Sequence, residues 1–101
     1  MTFLLHDTAN ECGEADRTYA EQKFSRLDRF LPDIEVVEFH HRKERFLHRA
    51  DFWLRGGGRV IHVTASSQHL RAAIDAALDR ASERMRRIHR RGVGRTRAKL
   101  V

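Results

Sequence analysis

The sequence predicts an α+β domain of order β-α-β-β-β-α, with two helices packed on one face of a four-stranded, mostly antiparallel sheet. Apolar residues recur at helical spacing in two separate stretches, 15–31 and 70–91. Between them lie runs in which apolar and polar residues alternate, the pattern of half-buried strands. Their polar sides imply a sheet covered on one face only, the habit of antiparallel rather than parallel sheets. A chain of 101 residues makes one domain, assigned to 1–91, and residues 92–101 read as a basic, flexible tail.

Thr2 to His6 is a short apolar run that forms a first strand, broken by the polar stretch Asp7 to Gly13. Helix follows from Ala15 to Leu31, where Ala20, Phe24, Leu27 and Leu31 make the stripe, Tyr19 and Phe30 flank it, and Pro32 closes it. Lys23, Arg26 and Arg29 fall beside or opposite that stripe and face water. Ile34 to Lys43 and Phe46 to Leu54 are strands separated by a charged turn around Glu44. Val37, Phe39, Ala50, Phe52 and Leu54 share the apolar face, and Glu38, His40, Arg42, Arg49 and Asp51 the other. In the third run, Val60 to Ser66, Ile61, Val63 and Ala65 point inward and His62 and Thr64 outward. Trp53 faces away from the helices, with His62 and Arg49 as neighbours, as cover for the open side or as a stacking surface.

Arg55-Gly56-Gly57-Gly58-Arg59 joins the last two runs as a tight hairpin, for which glycine supplies positive φ. A phosphate-cradling loop would end in Gly-Lys-Ser/Thr and open onto a helix, and this one does neither. The final helix runs from Leu70 to about Arg91, with Ser67 as a possible cap and Gly92 beyond its end. Its apolar stripe is Leu70, Ile74, Ala77, Ala81, Met85 and Ile88.

Charge is concentrated in this last helix. Leu70 to Val101 hold ten of the 20 Lys and Arg but only three of the 14 acids. Arg80, Arg84, Arg87 and Arg91 form a second stripe beside the apolar one, and Arg86 and Arg90 point away from the core. A solvated helical face, with a Glu83–Arg87 pair and Arg stems lying over the sheet, is the plainer reading. It leaves unexplained the eight arginines from Arg80 to Arg97 against Glu83 alone. Such self-repulsion is relieved by a bound polyanion, and RNA or DNA is the first candidate.

Other classes fit less well. Cys12 is the sole cysteine, which suits a reducing cytosol, and no signal peptide or run of about 20 apolar residues is present, so a cytoplasmic protein without a membrane partner is expected. His40, His41 and His48 invite a metal reading. Alternation sends His40 and His41 to opposite faces, and no cysteine or clustered carboxylate completes a shell, so surface or half-buried histidines and no metal or other cofactor are expected. Asp75 and Asp79 lie one turn apart but have no accompanying catalytic group. Intrahelical partners such as Arg71 are expected for them, and neither an enzyme nor a small-molecule substrate is.

Tyr19-Ala20-Glu21-Gln22-Lys23-Phe24-Ser25-Arg26-Leu27-Asp28-Arg29-Phe30 resembles the first helix of the ribosome hibernation-promoting factors, also called ribosome-associated inhibitor or sigma modulation proteins. Ala72-Ala73-Ile74-Asp75, Ala77-Leu78-Asp79-Arg80 and the basic run after them resemble the second helix. The likeness covers nearly the whole chain, in the short form of the family, although Arg71 stands where an aromatic residue is usual. It implies occlusion rather than chemistry: binding to the 30S subunit and its 16S rRNA, in the channel for messenger and transfer RNA, so that idle ribosomes are silenced. Basic side chains of both helices would meet phosphate there. Charge and position select Lys23, Arg26, Arg29, Arg80, Arg84, Arg86, Arg87, Arg90 and Arg91, because the planar guanidinium grips phosphate in two places. Long members add a C-terminal domain that pairs ribosomes. This chain ends near where its linker would begin, so no built-in C-terminal dimerisation domain is expected. The alternative is a double-stranded RNA-binding domain acting away from the ribosome, whose α-β-β-β-α layout is similar. Such domains start their second helix with lysines, whereas here the charge lies at the opposite end.

Overall fold

Helical and alternating periodicity resolve, in a computed structural model, into β1 (Thr2–Asp7), α1 (Glu14–Ser25), a 3-10 turn (Arg26–Arg29), β2 (Ile34–Glu44), β3 (Leu47–Gly56), β4 (Arg59–Ser67) and α2 (Leu70–Leu100). The structure describes residues 1–29 and 33–100, and the side chains of 1–27 and 33–88. The four strands form one sheet in the order β1-β2-β3-β4. β2, β3 and β4 pair antiparallel, while β1 lies parallel to β2, with Phe3 opposite Val37 and His6 opposite His40. A parallel pair needs a crossover between its strands, and α1 supplies it.

Alternation assigns the faces as the sequence predicts. Val37, Phe39, Ala50, Phe52, Leu54, Ile61, Val63 and Ala65 are buried beneath Ala20, Phe24 and Leu27 on one side and Ala73, Ile74, Ala77, Ala81 and Met85 on the other. Phe24 stacks on Phe52 with ring centroids 3.8 Å apart, and Phe52 on Phe39 at 4.4 Å, tying α1 to the middle of the sheet. Burying one such ring contributes about 1.5–3 kcal/mol.

The hairpin between β3 and β4 is confirmed: Gly57 and Gly58 have φ of +57° and +75°. Gly56 is needed for space instead, since a Cβ there would collide with the Asp33 carbonyl. Both helices differ at their ends from expectation. α1 stops at Ser25 and tightens into the 3-10 turn Arg26–Arg29, where one helix to Leu31 was expected. Pro32 disfavours helical backbone at the residue before it, and tightened last turns are common where a helix is stopped. Phe30, Leu31 and Pro32 lie outside the described residues.

α2 runs through Gly92 to Leu100. An interior glycine weakens a helix by only about 1 kcal/mol and ends it only if the chain turns left-handed there. At its start the capping residue is His69, whose carbonyl accepts the first helical bond from the Ala73 amide at 3.1 Å. Ser67 acts one step earlier, its hydroxyl accepting from the His69 amide at 3.4 Å. Among the described residues no helix is long and apolar enough to cross a membrane.

Candidate nucleic-acid interface

β4 ends the sheet, so its outward carbonyls have no strand partner. α2 supplies one. Arg80 Nη1 donates to the Thr64 carbonyl, and Arg84 Nη1 to the His62 carbonyl at 3.0 Å. The match is geometric: four helical residues rise about 6.0 Å, and two strand residues advance about 6.6 Å, so arginines at i and i+4 meet alternate carbonyls of a strand running the other way. Arg87 is bound by Glu83 at 2.8 Å, the pair the sequence predicts. These side chains line an open groove between β4 and α2 with His62, Val63 and Thr64. A guanidinium carries five N–H donors, so an anchored Arg84 keeps others for an anion in the groove.

The α1 side of the helix layer is fixed to α2 by polar contacts. The Tyr19 hydroxyl donates to Asp75 Oδ1 at 2.5 Å, and Arg71 Nε donates to Asp16 Oδ1 at 3.1 Å. Asp75 and Arg71 therefore take partners on α1 and not each other, because two helices in contact offer acceptors that an isolated helix lacks. The Asp75 carboxylate raises the Tyr19 phenol above its usual range and keeps it a donor. Lys23 lies over the Tyr19 ring, its Nζ 5.3 Å from the centroid, and Arg26 is exposed. Arg86 is also exposed on α2. The side chains of Arg29, Arg90 and Arg91 lie outside the described residues.

Two buried polar clusters were not expected. His41 is wholly buried on the helix side of the sheet, with Nδ1 2.7 Å from Asp7 Oδ1 and Nε2 2.9 Å from His48 Nδ1. Half-burial at most was expected of the sheet histidines, because alternation gives a face and not a partner. Burial works to raise the Asp7 carboxyl, but the Cys12 amide and His41 outweigh it and hold it below the usual value. Burial, then the neighbouring His41, lowers His48. Cys12 itself is pushed up to about 11 by burial and by Asp7, which leaves it an unreactive thiol. On the open face, Asp51 is buried beneath His62 and Arg49, both at 3.0 Å. Burial opposes its ionisation, and hydrogen bonds from His62, Arg49 and Thr64 prevail and lower it. Trp53 faces this side as predicted, stacked on His62 with centroids 4.2 Å apart.

The arginines of α2 thus lie along the open edge of an α+β core, beside the groove that they line with β4. Residues 8–92 match the family described as sigma 54 modulation protein / S30EA ribosomal protein. The chain belongs to that family. Among curated relatives it is similar to the ribosome hibernation promoting factor of Escherichia coli (strain K12), 31% identical over 83 residues that span 80% of this chain and 87% of the relative. The corresponding factor of Salmonella typhimurium is 31% identical over 77 residues, 76% of this chain and 81% of that one. Among solved structures, the N-terminal domain of Thermus thermophilus Protein Y superposes with a TM-score of 0.79 at 28% identity, covering 87% of this chain and 99% of that one. A ribosomal subunit interface protein from Coxiella burnetii gives 0.81 at 15% identity, over 87% and 97% of the two chains, a likeness of fold alone. The β-α-β-β-β-α order and single mixed sheet found here match the fold of these ribosomal subunit interface proteins.

Proposed function

We propose that this protein is a cytoplasmic ribosome hibernation factor that binds 16S rRNA of the small subunit and blocks the messenger and transfer RNA channel. Membership of the S30EA family, with relatives named as ribosome hibernation promoting factors, supports the ribosomal partner. The observation that carries the mode of binding is the arginine row of α2, where Arg80 and Arg84 are oriented by the β4 edge and Arg87 by Glu83. Guanidinium groups held in place lose less freedom on gripping phosphate than free ones do. A rigid row of cations reads the shape of folded RNA and not its sequence. Arg86 on α2 and Lys23 and Arg26 on α1 would widen the same contact, and Arg29, Arg90 and Arg91 would extend it. The protein acts by occupying space, without a cofactor or a small-molecule substrate.

Co-sedimentation with isolated 30S and 50S subunits on sucrose gradients, at low and physiological salt, tests this reading. Retention on 30S alone at physiological salt is expected. Equal binding to both subunits that vanishes with salt would overturn it in favour of generic polyanion affinity. Equally tight binding to free duplex RNA would favour the double-stranded RNA-binding alternative.

A further inference from the structure

We propose that His6, Glu38 and His40 form a binding site for a divalent transition-metal ion of the zinc class, on the face of the sheet opposite the helices. The parallel register of β1 and β2 sets His6 directly opposite His40, so both rings leave the same face. The rings lie stacked with centroids 4.4 Å apart. Glu38 precedes His40 by two residues on β2 and so shares that face, with its Oε2 3.4 Å from His40 Nε2. One donor atom from each of the three residues lies within 4.8 Å of the other two.

These distances suit a metal. Two ligands bound to a tetrahedral zinc at about 2.0–2.1 Å stand about 3.3–3.4 Å apart. The Glu38–His40 pair already has that separation, and a rotation of the exposed His6 ring closes the third side. Two imidazoles and a carboxylate are a ligand set that leaves a fourth position for water. Neighbours hold the ligands in place: Arg55 Nη1 donates to Glu38 Oε1 at 3.0 Å, leaving Oε2 toward His40, and Trp53 packs its edge against the His40 ring at 4.6 Å. A simple His40–Glu38 ion pair explains one side of the triangle and gives no reason for a second imidazole stacked on the first. The site departs from the expectation that no metal is bound, and it does not depend on the ribosomal reading.

Trp53 provides the readout, because it is the only tryptophan and touches a proposed ligand. Cobalt(II) titrated into the full chain should quench its fluorescence saturably with one equivalent, and zinc(II), which binds such N/O sites more tightly, should reverse the quenching. His6→Gln and His40→Gln should each weaken cobalt binding roughly tenfold or more. His62→Gln, which alters the ring stacked on Trp53, should leave it unchanged. Circular dichroism confirms that each variant is folded, and because His6 is exposed its variant decides the matter even if His40→Gln does not fold. Cobalt affinity unchanged in His6→Gln, loss of quenching in His62→Gln, or no saturable quenching in the wild-type chain would overturn the site.

Discussion

Arg84 and Arg87 lie less than one turn apart on α2 and should be alike in RNA binding but unlike in stability. Arg84 donates to the His62 carbonyl at 3.0 Å on the open edge of β4, whereas Arg87 touches Glu83 within its own helix. A hydrogen bond from a charged donor contributes about 1.5–3 kcal/mol when sheltered. This one is exposed, and water can replace the guanidinium on the carbonyl, so about 1 kcal/mol is expected for Arg84→Ala. A surface pair such as Glu83–Arg87 contributes about 0.2–0.5 kcal/mol. In a domain of this size, Arg84→Ala should therefore lower the Tm by about 4–8 °C, and Arg87→Ala by no more than about 1–4 °C. If each arginine meets one phosphate, either substitution should reduce the slope of log affinity against log salt by about 0.7–0.9. Arg84→Lys should keep the slope and recover only part of the stability, because an ammonium lacks the fork that reaches carbonyl and phosphate together. Thermal melts monitored by circular dichroism, paired with 30S binding at several salt concentrations, measure both. Equal melting of the two alanine variants would refute the edge contact, and unchanged slopes in both would remove this flank from the interface.

Asp7→Ala should cost about 2–3 kcal/mol by urea denaturation, since it strips partners from the buried His41 and the Cys12 amide, while Asp7→Asn should cost less because His41 can change tautomer to accept from the new amide; equal losses would refute the tautomer account. Acid should destabilise in two stages. His48 has a lowered folded pKa, so its penalty begins as pH falls below the unfolded imidazole value of about 6.5, whereas Asp7 and Asp51, also lowered, give a contribution complete above about 3.9 and lost as pH falls through their folded values. His48→Gln should remove the upper stage of the urea midpoint profile and leave the lower. Gly56→Ala should destabilise by about 3 kcal/mol because the Asp33 and Ile34 backbone blocks its Cβ, against about 1–2 kcal/mol for Gly58→Ala, which has open space and only an unfavourable positive φ; the reverse order in urea midpoints would contradict this.

What the sequence disclosed and what it withheld divide along a physical line. Alternation and helical period are local properties, so Phe52 could be placed in the core and Trp53 outside it from the order of residues alone. Partners are not local. Arg71 looked suited to Asp75 because they share a helix, yet each is held by α1, through Asp16 and Tyr19. His6 carried no signal at all, since only the parallel register with β2, across the α1 crossover, sets it beside His40. The arginine row lies between these cases. Its charge was visible as an excess that the helix could not neutralise, and that excess pointed to a nucleic acid. The sequence also held the rest: arginines four apart, facing a last strand whose alternate residues advance by nearly the same distance. Two demands, closing the β4 edge and presenting cations, fall on the same side chains, so part of the arginine excess serves the fold itself. The fraction left for an anion is then best sought in the N–H donors that Arg84 keeps beyond its bond to the His62 carbonyl and in Arg87, which Glu83 orients beside it.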